Sequence, residues 1–409
     1  MDRIRQALVV LMFFTASVGF GQQDRGKSAA FPQDSSLQNM ADDSILLDAA
    51  PAKNLPLNLI KAADYGDPVA QTRLGLQYAL GTGMTRDDTA AVKWFMRAAA
   101  TGSSDAQFLI GFMYRNGRGV TKDYERAEHW FREAADKGNA QAQAALASLY
   151  IDGVGVPANY QAALKLARSA AKHRIASGEY NVGSIYRYGL GVPMNVPEGI
   201  KWYQKAAEHG SLDAQVQIGV IYMTGDGVPK NIPEGLRWLE SAADRGSPEA
   251  QYDLGLYYER GGAGTVDLGK AVHYYQLAVN QSFGVAQLNL GNMYELGAGV
   301  EKDISKAFAL YKAAADQGIA IAQENVGTAY EWGLGTQQDF QLAASWYRKA
   351  ADQDDAPAQS KLASLLSKGK GVAADRKQAC ALWRKAATAG EPTAAVNIQN
   401  QCTLQSASN

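Results

Sequence analysis

One dipeptide returns along this chain at a fixed interval. Ala70-Gln71 recurs as Ala106-Gln107, Ala142-Gln143, Ala214-Gln215, Ala250-Gln251, Ala286-Gln287, Ala322-Gln323 and Ala358-Gln359. Every spacing is 36 residues or twice that, and the skipped slot holds Gly178-Glu179. The register runs through nine units without an insertion or deletion. A strict period of this length confines a chain to a stack of like supersecondary units, each burying its apolar face against its neighbours.

The columns of the repeat identify the unit as a helix hairpin. Ala70, Leu74, Gln77 and Tyr78 share one face at helical spacing, and the tyrosine returns at 114, 150, 186, 222, 258, 294 and 330. Gly75 and its counterparts, among them Gly111, Gly183, Gly255, Gly291 and Gly327, sit where a helix loses about 1 kcal/mol to glycine. Close approach by a neighbouring helix is the expected return. A Gly-x-Gly turn, as in Gly117-Arg118-Gly119, supplies the positive φ that ends the first helix. The second helix begins at a column of Asp87, Asp123, Asn159, Asn195, Asn231, Asp267, Asp303, Asp339 and Asp375, residue types that cap helix N-termini. An aromatic pair such as Trp130-Phe131 follows, then a small pair such as Ala134-Ala135, and a closing glycine such as Gly138. Large residues facing small ones let stacked helices interdigitate.

This pattern resembles the Sel-one-like repeat, a cousin of the tetratricopeptide repeat, over residues 57 to 401. The resemblance implies an all-α, right-handed α/α superhelical solenoid of nine 36-residue hairpins that acts as an adaptor or scaffold in protein complexes. Exported bacterial members regulate sensor kinases, support polysaccharide secretion or engage host proteins. Half-units at both ends, Leu57 to Gly66 and Thr393 to Gln401, fit terminal caps that cover the exposed faces of the stack.

The flanks read differently. Arg3 and Arg5 precede an apolar run from Ala7 to Val18 and small residues at Gly19 and Gly21, the pattern of a secretory signal over 1–21. Residues 22–55 are polar and aperiodic, as in a flexible linker. The solenoid is expected over 56–402, with a disordered tail at 403–409. Export to the periplasm or beyond places Cys380 and Cys402 in an oxidising compartment, where a disulfide is expected. Cys380 lies ten residues before the turn at Gly390 and Cys402 twelve after it, similar heights in an antiparallel hairpin. A formal net charge of −1 excludes the electrostatic footprint of a nucleic-acid binder. No segment after the signal is apolar enough to span a membrane.

Catalytic chemistry finds little support. The Gly-x-Gly turns follow helices and carry no lysine in phase, unlike phosphate-binding loops. His129, His173, His209 and His273 lie far apart along the array, so no metal site is expected. Ser169-Ala170-Ala171-Lys172 and Ser367-Lys368-Gly369-Lys370 match Ser-x-x-Lys, but neither has the partner motifs of a β-lactam-type hydrolase. The reading is a non-catalytic scaffold without cofactor, binding a protein or extended peptide. Recognition of a glycan, cell-wall fragment or exported polysaccharide is the alternative, disfavoured because exposed aromatics are isolated rather than consecutive.

The expected partner face follows from helix geometry. With 70, 74, 77 and 78 pointing inward, 69, 72, 73, 76 and 80 fall on the opposite face, which would line a concave groove. The column of position 73 carries Asn181, Gln217, Asp253, Asn289 and Asn325 in five consecutive units, although such residues are poor in helix interiors. Tyr180, Ser184, Tyr188, Asn292, Thr328 and Trp332 stand around this polar ladder. A weak junction is expected at residues 164 to 182, where Leu166-Ala167, Arg174 and Gly178 replace the aromatic pair, the closing glycine and the usual alanine.

Overall fold

A computed structural model describes residues 57–262 and 264–402. The expected signal, linker and tail lie outside the described residues, which contain twenty helices and no strand. They fall into two compact units that divide after Trp238. The N-terminal unit holds α1 (Leu57–Asp64), α2 (Pro68–Leu80), α3 (Asp88–Ala100), α4 (Ser104–Asn116), α5 (Tyr124–Asp136), α6 (Ala140–Asp152), α7 (Tyr160–Lys172), α8 (Ala176–Tyr188), α9 (Val196–Glu208) and α10 (Leu212–Thr224). The division falls inside α11 (Ile232–Asp244). The C-terminal unit continues with α12 (Pro248–Glu259), α13 (Leu268–Asn280), α14 (Gly284–Leu296), α15 (Ile304–Asp316) and α16 (Ala320–Trp332). It ends with α17 (Phe340–Ala351), α18 (Ala356–Lys368), α19 (Arg376–Thr388) and α20 (Pro392–Gln401). Boundaries keep the 36-residue register throughout, and α1 and α20 stand where the half-units were expected.

Each hairpin is held by the same few devices. Asp123 accepts a hydrogen bond from the Arg126 amide at 2.9 Å and so caps α5, while its own amide donates to the Tyr114 carbonyl of α4 at 2.9 Å. The corresponding backbone bond recurs from Asp87 to Tyr78, Asn195 to Tyr186 and Asp339 to Tyr330. One residue therefore starts the second helix and clips it to the first, which explains why no unit tolerates an insertion between them. The repeated glutamine ties one hairpin to the one before it: Gln71 Nε2 donates to the Ala63 carbonyl, Gln251 to Ala243 and Gln323 to Ala315, eight residues upstream in each case. These side chains are buried and give a second hydrogen bond to helix C-terminal carbonyls that already accept the amide of the closing glycine.

The helix glycines serve a close approach, made by an aromatic ring of the same hairpin rather than by a neighbouring backbone. A Cβ on Gly111 would stand 2.6 Å from Phe131 Cδ1, and one on Gly327 would stand 2.6 Å from Tyr347 Cδ1. In one hairpin both change together, Ala167 replacing the aromatic residue and Ala147 the glycine on α6, whereas Gly219 is kept where the ring position is Leu239, and Ala363 stands where it is Trp383. Between hairpins the second glycine of the Gly-x-Gly turn is the contact point, since a Cβ on Gly119 would lie 2.2 Å from the Asp88 carbonyl oxygen of α3.

Among the described residues three non-glycine residues hold positive φ, and all occupy the closing-glycine column: Arg174 (59°), Ser282 (61°) and Asp354 (66°). The left-handed conformation costs a side-chain-bearing residue about 1–2 kcal/mol. Arg174→Gly is accordingly expected to raise the stability of the N-terminal unit by about 1 kcal/mol in urea titration. Native-state hydrogen exchange should find residues 164–182 among the first to open in the wild-type chain and better protected in the variant. Unaltered protection there would show that Arg174 does not limit this junction.

Candidate interaction surface

The first helix of a hairpin is enclosed on more sides than a one-face rotation suggests. It packs on its own second helix, on the second helix before it and on the neighbouring first helix, as α6 and α8 do. Columns 72 and 76 are therefore core in the N-terminal unit: Thr72, Leu76, Phe108, Phe112, Ala144 and Ser148 are buried. This corrects the expected groove. Asn181 is fully buried and spends its amide on the Ala144 carbonyl (3.1 Å) and Ser148 Oγ (3.0 Å), bonding two first helices together. Ser184 is also fully buried, 3.0 Å from the Tyr203 hydroxyl, and the Tyr180 ring packs 5.1 Å from that of Tyr203. Neither Asn181 nor Ser184 can reach a partner.

Gln217 and Tyr188 remain half-buried in the same unit, and both are engaged by Arg187. The Arg187 guanidinium donates to Gln217 Oε1 and to Asp226 at 3.3 Å, and lies 5.0 Å from the Tyr188 ring centre. A buried arginine with these partners braces adjacent hairpins.

In the C-terminal unit the column of position 73 is polar and only half covered, although Leu288 and Ser360 of column 72 remain buried. Asp253, Asn289 and Asn325 on α12, α14 and α16 are half-buried, as are Asn292 and Thr328. Trp332, at the end of α16, is 64% exposed, and Leu296 at the same place on α14 is 47% exposed. Asn289 donates to the Tyr275 hydroxyl at 3.1 Å, Asn292 Oδ1 stands 2.7 Å from the Tyr311 hydroxyl, and Thr328 Oγ1 stands 3.2 Å from that of Tyr347. Lys361 of α18 reaches across to Glu324 and to Thr328 Oγ1.

The sequence reading missed a set of tyrosine–carboxylate pairs beside this row. Tyr275 donates to Glu259 at 2.5 Å, Tyr311 to Glu295 at 2.7 Å and Tyr347 to Glu331 at 2.7 Å, one pair in each of three consecutive hairpins. Burial first, and for Tyr275 and Tyr311 the adjacent glutamate next, drive these phenols far above their ordinary range. Burial also raises the Glu259 carboxyl. A pocket opens at the middle pair, lined by Phe308, Leu334, Glu295, Tyr311, Asn325 and Thr328.

Asp253 is the one site residue expected to titrate near neutrality. Burial, with Glu249 adding like charge, pushes its carboxyl up to about 7. A carboxyl raised on folding contributes stability that is fully present below its unfolded pKa and lost as pH rises through the folded one. Asp253→Asn should thus have little effect on thermal stability near pH 4. Its advantage over wild type should grow from there to about pH 7 and level off above pH 8. A difference that does not vary with pH would remove Asp253 as the titrating group.

Cys380 of α19 and Cys402 at the end of α20 are joined by a disulfide, as expected. Among the described residues no group of His, Cys, Asp and Glu is placed to hold a metal ion, and no helix is long and apolar enough to cross a membrane.

Comparison with known proteins agrees with this architecture. The Sel1 repeat model matches nine times without a break in phase, from residues 68–103 to 356–391. Among solved structures, a protective antigen of uropathogenic Escherichia coli displaying an SLR fold is 32% identical, with 85% of this chain and 84% of that one covered and a TM-score of 0.42. A Sel1 repeat protein from Oxalobacter formigenes is 28% identical over 84% of this chain and 89% of that one, TM-score 0.39. Yeast Tom70 is 14% identical over 90% and 75%, TM-score 0.48. No curated protein gives a match.

Proposed function

This chain belongs to the Sel1 repeat family, and from that premise we propose that it is an exported, non-catalytic scaffold that holds an extended peptide segment of a partner protein on the first-helix face of its C-terminal unit. Sel1 repeat proteins generally serve as protein-interaction scaffolds. The observation that carries the finer reading is the half-buried row of Asp253, Asn289 and Asn325, continued by the exposed Trp332. The matching column of the N-terminal unit has Leu109, Ala145 and Asn181 spent on packing. Amides and carboxyls presented along a rigid helix face suit a peptide backbone, which offers a donor and an acceptor at every residue.

Export to the periplasm or the exterior is supported by the basic and apolar start of the sequence and by the Cys380–Cys402 disulfide, which persists in an oxidising compartment. Peptide-to-protein binding rather than glycan binding is favoured because Trp332 has no exposed aromatic neighbour at the same place in the adjoining hairpin, where Leu296 stands. The test is capture from the native cell envelope with the mature chain and with the Asn289→Ala, Asn325→Ala double variant as baits. Loss of at least tenfold of a captured protein, with thermal stability within a few degrees of wild type, is the expected result. Equal capture by a folded double variant would move the partner to another face.

A further inference from the structure

The tyrosine–glutamate pairs are not needed to fill the core of a hairpin. Elsewhere in the array the same ring position is filled by Phe95 and Phe131, and the residue at the glutamate's place is Ala79 or Arg115, with the same buried ring over the same glycine. Glu259, Glu295 and Glu331 place three carboxylates in consecutive hairpins, each accepting with one oxygen a buried tyrosine hydroxyl that the phenylalanine hairpins lack. Each is half-buried. None forms a direct ion pair with a lysine, arginine or histidine among the described residues, although the charge of Arg260 acts on Glu259, whereas the nearby Glu324 pairs with Lys361. Partly desolvated like charges repeated along one face cost stability unless a cation completes them.

The second observation is the shape and apolar content of the same face. The pocket at the middle pair is lined by the apolar Phe308 and Leu334 and by the carboxylate-bearing Glu295. Leu334 of this lining is 41% exposed, Leu296, next to Glu295 in sequence, is 47% exposed, and Trp332, one turn beyond Thr328 on α16, is 64% exposed. Apolar side chains and a carboxylate in one lining match the aliphatic stem and charged head of a lysine or arginine. The exposed tryptophan adds a surface for a second, apolar side chain. The carboxylates stand one per hairpin and do not converge, so they are suited to successive side chains along an extended chain rather than to one ion.

We propose that this face of the C-terminal unit docks an extended polypeptide segment of another protein that carries lysine or arginine side chains, one seated in the Glu295 pocket and another against a neighbouring glutamate, with an apolar side chain on Trp332. The proposal rests on the scaffold reading above and adds the chemistry of the ligand.

The experiment is selection of random dodecapeptides displayed on phage against the full chain, followed by titration of the winning synthetic peptides against three proteins. These are wild type, the Glu295→Gln, Glu331→Gln double variant and Trp332→Ala. Glutamine keeps the acceptor for each tyrosine hydroxyl, and Trp332 is exposed, so the variants are expected to fold, with circular dichroism melts as the check. Winners should be rich in lysine or arginine next to apolar residues. They should bind the double variant at least tenfold more weakly and Trp332→Ala several-fold more weakly. Winners that are neutral or acidic, or that bind the folded double variant as tightly as wild type, would overturn the cationic assignment and leave the scaffold reading standing. Selection of no peptide at all would overturn both.

Discussion

Gly111→Ala is expected to destabilise the N-terminal unit by about 2–3 kcal/mol, the usual cost of forcing an extra methyl into a packed core. In an exposed helix the same change would gain about 1 kcal/mol. The sign reverses because the new Cβ would lie 2.6, 2.7 and 3.1 Å from three atoms of the Phe131 ring. The ring cannot retreat: it is 1% exposed, its centre is 5.6 Å from that of Phe108, and α5 is clipped to α4 through Asp123. Phe131→Ala alone should cost about 3–5 kcal/mol through the cavity it leaves. The two changes together should cost clearly less than their sum, since Ala-over-Ala is the pairing that Ala147 and Ala167 already use one hairpin on. Urea denaturation of the two single variants and the double variant measures the coupling. Strict additivity would mean that the glycine column answers to something other than the ring.

That coupling was half legible in the sequence. The glycine column called for a close approach, and the aromatic column was visible, but nothing in one helix says which column of the other faces it. The hairpin caps, the register and the terminal half-units were fully readable because each rests on local chemistry repeated nine times. The disulfide was readable too, because a turn between two antiparallel helices fixes relative height.

The interaction face was read less well. Assigning 72, 73 and 76 to the open side treated the first helix as having one buried face. In a stacked array it is also flanked by a neighbouring first helix, to which Asn181 is bonded, while Ser184 is buried against Tyr203 of its own second helix. Phe108, Leu109 and Phe112 in those columns were the available warning. The tyrosine–glutamate pairs were present as letters sixteen residues apart, in different helices. Their meaning emerges only when Glu259, Glu295 and Glu331 are each set beside Tyr275, Tyr311 and Tyr347. Even so, the correlation could have been seen: Phe95 and Phe131 are matched by Ala79 and Arg115, never by an acid.

Removing the disulfide by Cys380→Ser and Cys402→Ser should cost the C-terminal unit about 3 kcal/mol in the chain-entropy model for a loop of this size, and the loss should be local. The bond closes 22 residues of sequence that contain the end of α19, the turn at Gly390 and all of α20. Little else holds α20, whose buried set is Ala394, with Ile398 and Cys402 only partly covered. Arg376 donates to the Gln401 carbonyl at 2.7 Å, and Ser360 is 3.1 Å from Thr393, both near the surface or at partly buried positions. In an array whose hairpins interact with their neighbours, a loosened cap exposes the apolar face beneath it before anything further along responds. Here that face includes Leu362, Leu366 and Trp383, the last fully buried with its indole donating to the Ser360 carbonyl at 3.2 Å. Hydrogen exchange of the double serine variant should therefore show α20 unprotected and α18 and α19 weakened, while α2 to α8 exchange as in wild type. If α20 keeps its protection without the bond, the cap is held by packing alone. If the whole chain loses protection together, the array unfolds as one cooperative body rather than from its end.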